Sequence, residues 1–308
     1  KFKKVCNYMI TKLEQLIPAV QKRGRRRVVV ACAEDAHTLQ AIDRATRLGL
    51  VDPILVGNRT DITRTANDEG IDISNYIIQE EHSDTACVAR AVQMIHHEQA
   101  DILMKGIVST DKYMRGILNK DGGLVPPKAT LSHVCVLEIP TYHKLLLATD
   151  VAVLVLPDLQ QKIAITYYIR DVAHSLGICK PKIAILSATE QMLHHIPSCY
   201  DAAIIAKMWE RDQIDGCVID GPLALDVAVD AEAVKIKRLR SSVGGDADCL
   251  VFPSLEAGNI FFKSATKLMG AKLAGIVVGA KVPCVLTSRG DSDESKLYSI
   301  ALASLMAR

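Results

Sequence analysis

The sequence predicts an α/β protein with mostly parallel sheets. Three observations point there. Apolar runs are short and rich in Val and Ile, stretches of helical spacing lie between them, and 308 residues exceed one ordinary core and call for two domains.

In chain order, strands are expected at Val28 to Ala31, Ile54 to Val56, Ile102 to Met104, Val134 to Leu137 and Val151 to Leu156. They continue at Ile183 to Leu186, Cys217 to Ile219, Cys249 to Phe252, Ile276 to Val278 and Cys284 to Leu286. Runs this short and apolar throughout read as strands buried on both faces. Between them, Val88, Val92 and Ile95 share one helix face, as do Ile165, Ile169, Val172 and Leu176. Gly177 stands where that second helix should end, with Pro181 soon after. A final helix is expected over Ser295 to Met306, capped by Asp291 or Ser292. Strands alternating with helices imply right-handed crossovers and helices on both sheet faces.

Composition excludes several classes. A net charge of +2 and 4% aromatic residues argue against a nucleic-acid partner. The run Arg25-Arg26-Arg27 reads as a solvated lead-in to the first strand. No apolar stretch reaches the roughly 18 residues a membrane helix needs. The basic start, Lys1-Phe2-Lys3-Lys4, is not followed by the apolar core of a secretory signal. Nine cysteines without a C-x-x-C pair read as reduced thiols, and His96-His97 and His194-His195 are adjacent pairs that do not share a helix face. A cytoplasmic protein without a metal site is expected.

In parallel α/β sheets, ligands bind beyond the carboxyl ends of strands. Polar clusters flank several predicted strands here: Lys105-Gly106 with Ser109-Thr110-Asp111, Asp220-Gly221-Pro222 with Asp226, and Gly244-Gly245-Asp246-Ala247-Asp248. Two more are Ser254-Leu255-Glu256-Ala257-Gly258-Asn259 and Thr287-Ser288-Arg289-Gly290-Asp291. Glycines let backbone amides approach an anion, Lys105 and Arg289 supply cations, and a hydroxyl and carboxylate beside Arg289 suit oxyanion and proton chemistry. Each cluster also has a bland reading as a helix cap or tight turn. Neither a P-loop nor a Gly-x-Gly-x-x-Gly fingerprint at the first strand is present.

The segments Leu103-Met104-Lys105-Gly106, Leu131-Ser132-His133-Val134, Asp220-Gly221-Pro222-Leu223-Ala224-Leu225-Asp226, Gly245-Asp246-Ala247-Asp248, Glu256-Ala257-Gly258-Asn259 and Thr287-Ser288-Arg289 resemble the phosphate acetyl/butyryltransferase family. The Leu-Ser-His-Val and Asp-Gly-Pro-Leu-Ala-Leu-Asp segments look more like its butyryl branch.

The resemblance implies two α/β/α domains flanking a cleft, in a fold like the isocitrate and isopropylmalate dehydrogenases. One domain would comprise residues 1–138 plus 280–308 and the other 139–279, in a homodimer or higher homo-oligomer. It implies reversible transfer of a short-chain, butyryl-like acyl group between coenzyme A and phosphate, both as substrates, with no tightly bound cofactor.

By motif match, Ser288 would steady an oxyanion and Arg289 would hold phosphate. In the acetyl branch the base lies where this chain has Ser295, which cannot serve as a carboxylate. Asp291 is therefore preferred, with Asp293 and Glu294 as alternatives. Phosphate and CoA contacts would come from Lys105, Gly106, Thr110, Arg115, Ser132, His133, Asp220, Gly221, Gly245, Asp246, Glu256, Gly258 and Asn259.

Four rival readings stand beside this one. They are phosphate acetyltransferase activity, a ping-pong route through Cys135 or Cys284, a metal- and NAD-dependent β-decarboxylating dehydrogenase using Asp220, Asp246 and Asp248, and a non-catalytic CoA- or acyl-phosphate-binding module.

Overall fold

The structure, a computed structural model, describes residues 9–286 and 292–308. In chain order the helices and strands are α1 (Leu16–Gln21), β1 (Arg26–Ala31), α2 (Ala36–Arg47), β2 (Val51–Gly57), α3 (Arg59–Asp68), β3 (Ile77–Glu80), α4 (Asp84–His96), β4 (Ile102–Lys105) and α5 (Thr110–Ile117). Next come β5 (Ser132–Glu138), β6 (Leu146–Thr149), α6 (Leu159–Ser175), β7 (Lys182–Leu186), α7 (Pro197–Glu210), β8 (Val218–Leu223), α8 (Leu225–Val229), α9 (Ala231–Ile236), β9 (Cys249–Val251) and α10 (Leu255–Lys267). The chain ends with β10 (Lys272–Val278), β11 (Cys284–Val285) and α11 (Asp293–Met306).

The chain divides into two compact units. The first is Glu14–Leu131 with Leu273–Arg308; the second is Ser132–Lys272 with the segment that ends at Leu13. The expected domain boundaries, after residues 138 and 279, fall a few residues further along the chain than these.

In the first unit the strand order is β3-β2-β1-β4-β11-β10. All neighbours are parallel except β10, which meets β11 antiparallel. Val28, Val29, Val30 and Ala31 of β1 are fully buried, as an apolar run at the centre of a covered sheet requires. The edge strand β3 is short and partly exposed, so its Ile77-Ile78-Gln79-Glu80 carried too little apolar signal to be predicted. Helices α1 and α2 each pack on α11, and α4 packs on α5, β1, β2 and β4. The helix starts follow from short-range chemistry. Asp35, Asn58, Ser83, Ser109 and Ser292 each accept a backbone N–H from the first turn of α2, α3, α4, α5 and α11.

In the second unit the order is β5-β6-β9-β7-β8, antiparallel between β5 and β6 and parallel elsewhere. Helix α6 opens with a capping box, Asp158 with Gln161, and ends at Leu176 before Gly177, whose φ of 86° suits glycine.

One predicted strand is corrected. Val151 to Leu156 is irregular, and the strand lies just before it, at Leu146–Thr149. The reason is Asp150, whose Oδ1 accepts the N–H groups of Ala152 and Val153, both at 2.7 Å, and turns the chain out of the sheet. Val155 and Leu156 are consequently exposed. The thiol expectation is also amended. Among the described residues, seven cysteines, Cys32 and Cys284 among them, are free and buried, whereas Cys179 is disulfide-bonded.

Candidate active site

In the first unit, β1, β2, β3, β4 and β11 are parallel, so their carboxyl ends share one edge. Lys105 closes β4 there. It is buried, and its Nζ donates to the carbonyls of Gly106 at 3.0 Å and Val108 at 2.9 Å. Gly106 crosses so close to β1 that a Cβ would lie 1.9 Å from the Cys32 carbonyl oxygen; only glycine fits. Ser109 caps α5, and Thr110 is that helix's exposed first residue. Arg115 is exposed and paired with Asp111 at 3.1 Å. It lines a groove of about 600 Å³ along α4 and α5, with Val88, Val92, His96 and Lys112.

The chain reaches α11 from β11. Ser288, Arg289 and Asp291 lie outside the described residues. Ser292 caps the helix, accepting the N–H of Ser295 at 3.2 Å. Ser295, at the position of the acetyl-branch base, is buried and its hydroxyl meets that of Ser292 at 2.9 Å. Asp293 and Glu294 occupy the first turn.

Sequence reasoning missed Glu34, just beyond β1. Its Oε1 accepts the Asn58 N–H at 2.9 Å, Oε2 is buried without a hydrogen-bond partner, and burial pushes its carboxyl pKa up. The signal was the Glu34-Asp35 pair directly after an apolar run.

In the second unit, several predicted residues meet at a residue that was not predicted, Asp150. Its buried carboxylate accepts from Ser132 Oγ at 2.8 Å and His133 N at 3.1 Å, besides the N–H groups of Ala152 and Val153. Ser132 Oγ also lies 3.0 Å from Thr149 Oγ1. A Cβ on Gly258 would stand 2.1 Å from the Asp150 carbonyl oxygen, and Asn259 Nδ2 donates to the Val151 carbonyl at 2.9 Å. The Leu-Ser-His-Val and Ala-Gly-Asn segments thus clamp one turn at the carboxyl end of β6. Glu256, on the first turn of α10, is exposed; its own backbone N–H and Ser254 hold its carboxyl below the ordinary range.

Asp246 is elsewhere. It precedes β9 and joins Lys144 and Lys182, which precede or open β6 and β7, so it marks the amino ends of these parallel strands. Burial disfavours its charged form, but hydrogen bonds from Lys144, Lys182 and His143 outweigh that and hold the carboxyl well below the usual range. Gly245, at φ 76°, passes against Ala231 and donates to the Val227 carbonyl at 2.8 Å. Asp220 and Gly221 lie within β8, where Asp220 accepts from the Ser241 hydroxyl and Gly221 packs on Ile185. Among the described residues, no group of three or more His, Cys, Asp or Glu is arranged to hold a metal ion, and no helix is long and apolar enough to cross a membrane.

A family model described as "Phosphate acetyl/butaryl transferase" matches residues 12–88 and 77–304. The chain belongs to the phosphate acetyl/butyryltransferase family. The chemistry is that of the family: reversible transfer of an acyl group between coenzyme A and phosphate, both of them substrates. The chain is 41% identical to the phosphate butyryltransferase of Clostridium acetobutylicum over 97% of its own length and 99% of that protein. It is 39% identical to the phosphate acetyltransferase of Rhizobium meliloti, covering 96% and 94%. Among solved structures, a branched-chain phosphotransacylase of Enterococcus faecalis V583 superposes with a TM-score of 0.79 and 32% identity, over 92% of this chain and 100% of that one.

These matches correct the fold expectation. The α/β architecture is that of the phosphotransacylases of known structure, and the expected likeness to isocitrate and isopropylmalate dehydrogenases gives way to it. Alternating strand and helix patterns specify layers, but strand order is a long-range property that the pattern leaves open.

Proposed function

We propose that this chain acts on a short-chain, butyryl-like acyl group, by direct transfer within a ternary complex. The reading is carried by end-to-end likeness to a phosphate butyryltransferase at 41% identity over 97% of the chain. The Leu131-Ser132-His133-Val134 and Asp220 to Asp226 segments resemble the same branch.

In the proposed route, Asp291 takes the proton from the CoA thiol. The thiolate, the reactive form, attacks the acyl-phosphate carbonyl carbon. Ser288 donates to the oxyanion that forms, the bond from carbon to the phosphate oxygen breaks, and Arg289 holds the departing phosphate. Microscopic reversibility gives the opposite direction. Positioning and charge stabilisation supply most of the rate. Lys105 adds a fixed cation at the carboxyl edge of the first unit. A homodimer or higher homo-oligomer in the cytoplasm completes the proposal.

The test is thiol release from acyl-CoA and phosphate, over straight chains from acetyl to hexanoyl and branched isobutyryl-CoA. Butyryl-CoA is expected to give the highest kcat/KM. Pocket depth sets the choice, and one methylene is worth about 1–3 kcal/mol. Ser288→Ala should lower kcat by roughly 100-fold or more, as loss of an oxyanion donor does. Highest kcat/KM with acetyl-CoA would overturn the acyl preference, and no CoA release at any length would overturn the enzyme reading.

A further inference from the structure

Two free thiols meet at the carboxyl edge of the first unit, outside the proposed chemistry. Cys32 directly follows β1, with φ 59°, and Cys87 stands on the first turn of α4. Both are buried. Cys32 Sγ lies 3.9 Å from the carbonyl oxygen of Asp84, on the same turn as Cys87. Helical side chains lean back toward the helix N-terminus, which brings the Cys87 thiol over that turn as well. The two thiols share a hydrogen bond. Cys32 donates it, which pushes its own thiol up and holds that of Cys87 down, despite burial and the Glu34 and Glu81 carboxylates. Cys87 is thus the better nucleophile of the pair.

Backbone contacts connect this pair to the turn that carries Lys105. The Cys32 carbonyl accepts the Ile107 N–H at 2.8 Å, and Gly106 crosses the same carbonyl too closely for any Cβ. On the α4 side, Asp84 holds Lys112 of α5 at 2.7 Å. Bonded sulfurs stand about 2.05 Å apart, well inside hydrogen-bond contact. Joining the two thiols therefore draws the end of β1 toward α4 and displaces the carbonyl on which Gly106 and Ile107 rest. Ser83 and Thr85, on either side of Asp84, are exposed, so solvent stands within a turn of the pair.

We propose that Cys32 and Cys87 form a reversible disulfide, made by a peroxide, that switches off phosphate use at this edge. The regulation rests on the phosphate-acyltransferase reading for its substrate. First the Cys87 sulfur attacks one oxygen of hydrogen peroxide and the O–O bond breaks. The hydroxide released takes up the proton that Cys87 had lost, and Cys87 becomes a sulfenic acid. The Cys32 sulfur then attacks the Cys87 sulfur, the S–O bond breaks, and hydroxide leaves as water with the Cys32 proton. Two thiols are oxidised and one peroxide is reduced to two waters. An added dithiol reopens the bond by exchange.

The experiment uses the full-length wild type, Cys87→Ala and Cys32→Ser, each treated with hydrogen peroxide and then desalted. Peptide mapping by mass spectrometry without reductant reads the bond. Thiol-release kinetics, and the shift in Tm on adding inorganic phosphate, read the site. Wild type should yield a peptide linking Cys32 to Cys87 that dithiothreitol separates. Its kcat/KM for phosphate should fall by roughly tenfold or more, since misplacing a positioning group by about 1 Å can cost about 100-fold. Dithiothreitol should restore it, and both variants should keep their kcat/KM after peroxide. No linked peptide in wild type would overturn the proposal. So would a linked wild type of unchanged kcat/KM, or an equal loss in the variants, which places the damage at another residue. Should a variant fail to fold, the linked peptide and the recovery with dithiothreitol in wild type decide. If wild type releases no CoA before peroxide, the acyl-transfer reading fails. The switch is then judged by the linked peptide and the phosphate-induced Tm shift, and a shift that survives oxidation overturns it.

Discussion

Replacing Ser132 by alanine separates two roles for one motif residue. Ser132 is fully buried, and its hydroxyl donates to Asp150 Oδ2 at 2.8 Å. A hydrogen bond to a charged group contributes about 1.5–3 kcal/mol. Asp150 Oδ2 would keep the His133 N–H at 3.1 Å, so the oxygen is not orphaned. The Thr149 hydroxyl would keep its bond to the His133 carbonyl at 3.0 Å. The loss should therefore sit near about 2 kcal/mol, equivalent to a Tm lowered by roughly 4–8 °C for a cooperative unit of this size. Differential scanning calorimetry reads the Tm, and thiol release at a temperature well below it reads function. KM for phosphate and for acyl-CoA should stay within about twofold of wild type, as expected where a hydroxyl stabilises the fold without touching ligand. A Tm equal to wild type together with a raised KM would refute this reasoning and return Ser132 to ligand binding.

Two further outcomes follow from the titrating groups. The Asp246 carboxyl is held below its unfolded value, so its contribution is present above about pH 4 and fades as pH falls through the folded value. Asp246→Asn should be less stable than wild type at neutral pH and lose less on acidification, measured by urea unfolding across pH; parallel acid limbs would exclude the effect. Because its side chain is 43% exposed, added salt should shrink the difference. Burial pushes the Cys135 and Cys284 thiols up to about 12, which leaves both protonated near neutrality. Cys135→Ala and Cys284→Ala should each retain wild-type kcat in the thiol-release assay. A folded variant that has lost transfer would instead restore the ping-pong route.

Much of the architecture was legible because its causes are local. Val28 to Ala31 is a buried central strand, as its unbroken apolar run predicts. The Gly177 helix end and the Ser292 cap of α11 were also readable, since both act on backbone within a turn. The strand predicted at Val151 to Leu156 failed for an equally specific reason. Its apolar pattern is genuine, but Asp150 has partners on β5, about a turn and a strand away in sequence, and they hold a bend that period-two counting cannot see. β3 was invisible because an edge strand needs few apolar residues.

The motifs divided in the same way. Residue types at Ser132, Gly258, Asn259, Gly245 and Asp246 suggested anion contacts, because glycines, hydroxyls and charges are what such sites use. The tertiary structure gives many of those groups partners inside the protein. Ser132 and Asn259 spend their hydrogen bonds on the turn at Asp150, and Asp246 spends its charge on Lys144 and Lys182. The sequence by itself determined the alternation of strands and helices, their caps, and the family's chemistry, since propensity, capping and motif identity depend on residues close along the chain. Only the tertiary structure decided the strand order and the clamp on Asp150. Those depend on contacts between distant segments, and a polar side chain's role is set by which partner reaches it first.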